Sequence, residues 1–424
     1  MLRKLASPAW AMLEYACYPL LLFIATPWFL HRLGTEQYGH WMLLTATVAF
    51  GGVLNTGTGA ATIKAISAGI GRAADGETER VIRTSLGIAT LGGAVLALLV
   101  FSIFLFAGGT LLARMGDPAL VEVTGSTAAL LIWLEQLDHV FSSAMKGSER
   151  FAQAARIEIA SRIFQVMVAA LVLLPWPGLL SLYLALVLVG IVRLLAKATI
   201  ARRVLNLSSL RPSLKDSRDI LHFAKWGWLQ GVGGVMFGVA DRILVGSLLG
   251  AASLAYYSIA SQLAMQIHAA SAAGLSVIFP MVSRKLGARD HFSLGSTTKL
   301  ITAANLIFSG ALSLMLFIFG RDLLVLWLGP VTAAPVANIL PYLVVAYWLL
   351  AMNVTPHYIL LSLGRIRFVA LSNLVAGSIL VLAVSMIATA YGLIGVTLAR
   401  NLYGVIILVN FIPLIQEIRR TECT

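Results

Sequence analysis

The chain alternates apolar stretches of roughly 20 residues with short polar loops, and that period dictates what it can fold into. A hydrocarbon core of about 30 Å takes roughly 20 residues of α-helix to cross. Inside lipid every backbone N–H and C=O must be satisfied within its own segment, which for runs of this length means helix. A soluble helix carries one apolar stripe, whereas these runs are apolar on all faces. Twelve can be delimited, over 9–30, 38–63, 85–108, 121–144, 157–175, 178–200, 223–248, 254–280, 299–319, 336–361, 369–390 and 393–415. Composition agrees, since 59% of the 424 residues are hydrophobic and only 12% are charged, against about 25% charged in a soluble domain. The expected class is an all-α integral membrane protein of about 12 transmembrane helices. The first run follows Arg3 and Lys4 and continues to Leu30 without a small-residue cleavage site, so it reads as a retained span.

The net charge of +13 is distributed in a way that orients the chain. Of the 31 Lys and Arg, 23 fall at the N-terminus, at the C-terminus and in the alternate loops beginning at Lys64, Lys146, Lys197, Arg284 and Arg365. The opposite loops hold only Arg32, Arg114 and Arg321, and five cations (Arg162, Arg193, Lys225, Arg242, Arg400) lie inside spans. Cation-rich loops stay on the cytoplasmic side, which predicts a multi-pass protein with both termini in the cytoplasm. The charge sits in short loops rather than on an aromatic-rich soluble module, so no nucleic-acid partner is expected. Cys17 and Cys423 lie in an apolar run and at the tail, and neither a disulfide nor a metal site is expected from them.

The polar stretch 201–222 divides the chain into six spans on each side. It reads as a cytoplasmic linker, part of it lying as an interfacial helix on anionic headgroups. Residues 1–200 and 223–424 are then the N- and C-terminal six-helix lobes. The two resemble each other. Leu33-Gly34 followed by Tyr38-Gly39 in the first corresponds to Leu249-Gly250 followed by Tyr256-Tyr257 in the second. The turn from Lys146-Gly147 to Arg150-Phe151 corresponds to the one from Leu363-Gly364 to Arg367-Phe368. Six is an even number of crossings, so the lobes are parallel repeats, and repeats of this kind enclose a central cleft with its ligand site near the midplane.

Charge inside a membrane span is costly, so it faces a wet cavity, pairs, or works. Glu14, among Trp10, Met12, Tyr15 and Tyr18, is either a proton- or cation-coupling group or a carboxylate solvated near the cytoplasmic interface. Asp241 and Arg242, near the outer end of the seventh span, either gate the cleft or pair with another helix; Asp241 is the second ion-coupling candidate. Arg400, beside Asn401, and Arg162, four residues after Glu158 and able to pair with it on one helix face, complete the charged cleft candidates. Asn55 joins them, in a span punctuated by Gly51, Gly52, Gly57 and Gly59; span seven is similarly rich, with Gly231, Gly233, Gly234 and Gly238. Such glycines allow either close helix packing or bending. Glu135, Asp138 and His139 make the fourth span acidic, while Lys225 snorkels at the cytoplasmic edge of span seven. His268 and His357 read as packed side chains. With five intramembrane cations, the cleft is expected to be neutral to positive and suited to a phosphate or pyrophosphate headgroup.

No GxxxxGK[ST], HExxH or GxSxG motif is present, and the outer loops are short. No catalytic residue, metal or cofactor is expected, and the chain reads as a transporter rather than an enzyme.

The run Phe29-Leu30-His31-Arg32-Leu33-Gly34 through Tyr38-Gly39-His40-Trp41 resembles the first-loop signature of the Wzx-type polysaccharide flippases of the MOP (MATE-like) superfamily. Ala240-Asp241-Arg242 through Leu249-Gly250, followed by Tyr256-Tyr257, is similar to the signature of their second half. Phe279-Pro280, Leu326-Trp327-Leu328-Gly329 and Tyr391-Gly392-Leu393-Ile394-Gly395 follow in the expected order. The resemblance covers nearly the whole chain. It implies two six-helix lobes forming a V in the bacterial inner membrane, and flipping of an undecaprenyl-pyrophosphate-linked oligosaccharide by alternating access, its lipid tail remaining in the bilayer among membrane lipids. It further implies a coupling ion, H+ or Na+, and work alongside glycan polymerase or assembly proteins. From the matching motif Asp241 alone carries over as a functional residue. Two other readings stay open: an ion-coupled multidrug or small-solute antiporter of the same superfamily, and a non-transporting membrane component of glycan assembly.

Overall fold

A computed structural model describes residues 2–71, 76–275, 278 and 294–422. The described residues form helices joined by short turns, with no strand among them. The first helical stretch, Leu2–Gly71, is broken at Gly34 (φ 73°, ψ 170°), which makes two rods, α1 (2–33) and α2 (35–71). After them come α3 (Glu77–Leu111), α4 (Pro118–Gly147), α5 (Phe151–Val172) and α6 (Leu179–Val204). Helix α7 (217–249) is interrupted at Val239, between Gly238 and Ala240. It is followed by α8 (Ala251–Leu275), α9 (Leu294–Leu328) and α10 (Pro330–Ser362). The last stretch breaks at Gly392 into α11 (366–391) and α12 (393–422). Within the described residues, each of the twelve expected runs overlaps one of these rods. Phe279-Pro280, Cys423 and the loop beginning at Arg284 lie outside the described residues.

Among the described residues five helical stretches are long and apolar enough to cross a membrane by length and composition alone: Glu77–Leu111, Leu179–Val204, Leu294–Leu328, Pro330–Ser362 and Arg367–Arg420, the last spanning α11 and α12. Their outward faces carry bare apolar side chains, such as Phe106 at 81% exposure and Met386 at 79%, an arrangement that lipid tolerates and water does not. Helix α5 carries Arg156, Glu158 and Arg162, charges that must find protein partners if the helix is to sit in lipid.

The chain divides into two compact units, Met1–Ala255 and Tyr256–Thr424. In the first, α4 packs on α2, α3 and α6. Gly51 and Gly59 of α2 bring that helix against Ile132 and His139, Gly93 of α3 meets Gln136, and Gly190 of α6 meets Leu131 and Leu134. Helix α7 crosses α2 where Gly57 and Gly227 touch. A Cβ on Gly57 would overlap the Ala224 carbonyl and the Trp228 ring, and Trp228 Nε1 donates to the Leu54 carbonyl at 3.0 Å. Gly57 of span two and Gly231 of span seven are thus part of a close helix crossing, while Gly51 and Gly59 face α4 and Gly52 and Gly238 meet nothing.

Within the linker 201–222, residues 201–204 and 217–222 belong to α6 and α7, and residues 205–216 are not helical. They run as irregular chain along the start of α3. Ser213 N–H donates to the Arg83 carbonyl (2.9 Å), Arg83 Nε to the Arg211 carbonyl (3.0 Å), and Thr84 Oγ1 to the Lys215 carbonyl (2.8 Å). Ser208 donates to Glu79 through both its backbone N–H and its hydroxyl at 2.7 Å. Gly87 leaves room for this passage, since a side chain there would meet the Ser213 carbonyl oxygen. These bonds satisfy backbone groups that an interfacial helix would have satisfied internally.

In the second unit α9 and α10 form a hairpin, with Leu340 over Gly320 and Asn305 Nδ2 donating to the Ala351 carbonyl at 2.8 Å. Helix α12 packs on α10 through Gly404 and Leu349. A buried polar chain runs from Ser372 to Asn410 (2.8 Å) to Asn353 (2.9 Å), at the point where α10 is interrupted.

Candidate functional site

Three consecutive helices each carry two charges one turn apart: Glu135 and Asp138 on α4, Glu158 and Arg162 on α5, Arg193 and Lys197 on α6. That spacing puts both members on one helix face, and the fold turns the three faces toward each other. Lys197 Nζ donates to Asp138 Oδ2 at 2.7 Å, Glu158 Oε2 at 2.5 Å and Ser142 Oγ at 3.0 Å. Arg162 Nε donates to Glu158 Oε1 at 2.9 Å, the pairing expected from the sequence. Arg193 lies 3.5 Å from Glu135 and 3.4 Å from Asp138 Oδ1. The Arg162 guanidinium also lies over the Tyr18 ring of α1, 4.7 Å from its centroid.

This network floors a cavity of about 290 Å3 inside the first unit. Thr45, Glu135, Arg162, Gln165 and Arg193 line it together with Tyr18, Trp41, Gly190 and an apolar wall of Leu44, Val48, Ala49, Leu131 and Leu186. Arg162 and Glu135 keep 25% and 30% of their side chains exposed, so a cation and a carboxylate both face the space. Arg193 and Asp138 are almost wholly covered, and Lys197 keeps only 1% exposure. Three acids balance three bases. The network is therefore formally neutral, its cations balanced by Glu135, Asp138 and Glu158. What the cavity offers is fixed donors and acceptors at close range, suited to a hydroxyl-rich ligand.

Of the cleft candidates named from the sequence, Arg162 lines the cavity, and Glu135 and Arg193, noted there as span charges, line it with Arg162. Asn55 is buried in α2 and does not line it. Asp241 is 1% exposed at the start of the segment Ala240–Leu249, its Oδ1 accepting from the Arg242 backbone N–H at 2.8 Å; neither residue reaches the cavity. Arg400 belongs to the second unit, where it is buried, donates to the Tyr347 hydroxyl at 3.0 Å and lies 4.8 Å from that ring's centroid. The Glu14 side chain lies outside the described residues. Lys197, expected in a cytoplasmic loop, is two turns inside α6 and paired. In sequence it falls just before Arg202 and Arg203, which lie in the last turn of the same helix. The repeated one-turn charge spacing on three successive helices was the signal that could have found it.

One end of the unit gathers residues of the first-loop signature and of the stretch around Gly250. His40 Nε2 lies 3.0 Å from the Met115 carbonyl, and Arg114 Nη1 donates to the Leu248 carbonyl at 2.7 Å. Gly39 lies flush against the Ala251 carbonyl, and Gly250 against that of Arg114. The signature stretches therefore act as packing and turn elements.

Comparison with known proteins agrees with this architecture. The profile of the polysaccharide biosynthesis protein family matches residues 8–285, and that of the MatE family residues 232–387. A Shigella flexneri protein named "Putative O-antigen transporter" is 23% identical over 399 residues, 92% of each chain. Among solved structures, lipid II flippase MurJ in an inward closed conformation superposes with a TM-score of 0.75 at 14% identity, over 98% of this chain and 87% of the other. An inward-facing multidrug resistance MATE family transporter of the MOP superfamily gives 0.72 at 18% identity, over 98% and 99%.

Proposed function

The chain belongs to the polysaccharide biosynthesis protein family, and from that premise we propose that it flips a lipid-linked oligosaccharide across the bacterial inner membrane by alternating access. The observation that carries this reading is a cavity in which Glu135, Arg162, Arg193 and Gln165 stand among apolar side chains, within a helical body whose outer faces are apolar. A lipid-linked sugar makes opposite demands on its two ends. Its hydroxyls need donors and acceptors through the bilayer, whereas its tail needs only lipid. Arg162, Glu135, Gln165 and Thr45 supply the first demand, and the bare outer faces of the helices the second. In this reading an undecaprenyl-pyrophosphate carrier brings the sugar, and Arg242 and Arg400 are candidates for its phosphates. Asn55 is a further cleft residue, while Glu14 and Asp241 are the candidates for coupling to H+ or Na+. The lobes are 1–200 and 223–424, joined through 201–222, with both termini cytoplasmic and glycan polymerase or assembly proteins as partners.

Deleting the gene should leave lipid-linked repeat units on the cytoplasmic face and deplete the surface glycan. An unchanged surface glycan would sink the proposal. A second reading, an ion-coupled multidrug antiporter, draws on the MatE match over 232–387. It predicts drug-stimulated proton or sodium exchange in proteoliposomes and a normal glycan in the deletion strain.

A further inference from the structure

Among the described residues of the first unit Lys197 is the most completely buried charge, and its surroundings are those of a bound ion. Its ammonium is held by carboxylate oxygens from two helices, Asp138 Oδ2 at 2.7 Å and Glu158 Oε2 at 2.5 Å, and by the Ser142 hydroxyl at 3.0 Å. All three ligands are oxygens, and two carry formal negative charge, the donor set that a monovalent cation takes up in a low-dielectric interior. Asp138 Oδ1 and Arg193 Nε, also buried, face each other at 3.4 Å without a hydrogen bond, so Arg193 balances the charge of Asp138 without replacing Lys197 as a donor.

We propose that Asp138, Glu158 and Ser142 form a monovalent-cation site whose occupant in this chain is its own Lys197 ammonium. The unit thereby carries a covalently tethered cation. A tethered ion is present at full occupancy whatever the solution contains, so no ion gradient acts through this acid pair while Lys197 fills it. Deleting the Lys197 side chain leaves three acids facing two guanidiniums. One negative charge is then unbalanced in a site with room for a small cation, and burial makes that vacancy costly to leave empty.

The test is thermal unfolding of the full chain in lipid nanodiscs, with ammonium, potassium or sodium chloride exchanged for choline chloride at constant ionic strength. Lys197→Ala should be stabilised saturably by at least one of the three small cations, by roughly 3 °C at tenfold excess over half-saturation. The parent chain should not respond. Asp138→Asn combined with Lys197→Ala restores the charge balance and should lose the response. No response in Lys197→Ala, an equal response in the parent chain, or a response that survives in the double variant would each overturn the proposal. If Lys197→Ala folds only when purified in a small cation, that supports the site; if it fails in every salt while the double variant folds, the site does not accept a free ion. Because the readout is stability, the outcome stands apart from whether the chain flips a sugar lipid.

Discussion

Gly34 and Gly250 hold the same backbone conformation at corresponding turns of the two sequence repeats: φ 73°, ψ 170° between α1 and α2, and φ 87°, ψ 179° between α7 and α8. This region is open essentially to glycine alone, because a Cβ clashes there with the chain's own backbone. Gly329 repeats the geometry with φ 79° and ψ 161°. Replacing Gly34 by Ala should therefore cost about 1–3 kcal/mol of stability through strain alone. Gly250→Ala should cost more, because its Cβ also meets the Arg114 carbonyl. Unfolding midpoints of the two variants in nanodiscs give the comparison, and equal losses would contradict it.

The crossing of α2 and α7 is the second place where glycine is required. Gly57→Ala places a methyl into the Ala224 carbonyl and the Trp228 ring, whereas Gly52→Ala meets open space. Expression and thermal stability should fall sharply for the first and stay near the parent value for the second. Matching losses would mean that the crossing is looser than the geometry requires.

Arg162 uses two edges of its guanidinium, Nε toward Glu158 at 2.9 Å and Nη1 toward Gln165 at 3.5 Å. A lysine has the charge but not the fork. Arg162→Lys should lower flipping at least tenfold, equivalent to about 1.4 kcal/mol, and Arg162→Ala should do no better. A reconstituted assay with a labelled lipid-linked oligosaccharide reads this out, and full activity in the lysine variant would remove Arg162 from the site.

Glu158 accepts from both Lys197 and Arg162. Neutralising it as Glu158→Gln leaves a buried excess of positive charge, and breaking a buried pair in this way costs about 3–5 kcal/mol. Adding Lys197→Met should recover much of that loss. A double-mutant cycle on unfolding free energies measures the coupling; additive effects would show that the network is weaker than its geometry.

The chain from 205 to 216 is fastened to α3 through Ser208 and Glu79. Glu79→Ala should loosen it, and limited proteolysis should then cut within 205–216 several times faster than in the parent chain while the helices stay intact. An unchanged cleavage rate would place the restraint on Arg83 and Thr84 instead.

Much of this protein is written locally. A helix that crosses lipid closes its own hydrogen bonds, so the apolar runs alone mark the twelve rods, and a glycine after a leucine marks where one rod turns into the next. Glu158 and Arg162, four apart on one helix, also pair as their spacing dictates. The fate of Lys197 was not local. In sequence it stands near Arg202 and Arg203 at the edge of an apolar run, indistinguishable from a loop cation; in the structure Asp138 and Glu158 approach it from two other helices. The same holds for the linker, whose polar residues fit an interfacial helix until α3 offers its side chains and carbonyls as partners. Backbone hydrogen bonding and burial in lipid depend on neighbours along the chain, so sequence determined the rods and their turns. The environment of a charge depends on which helix faces meet, so only the tertiary structure decided that the network beside the cavity is neutral and that Lys197 is buried within that network.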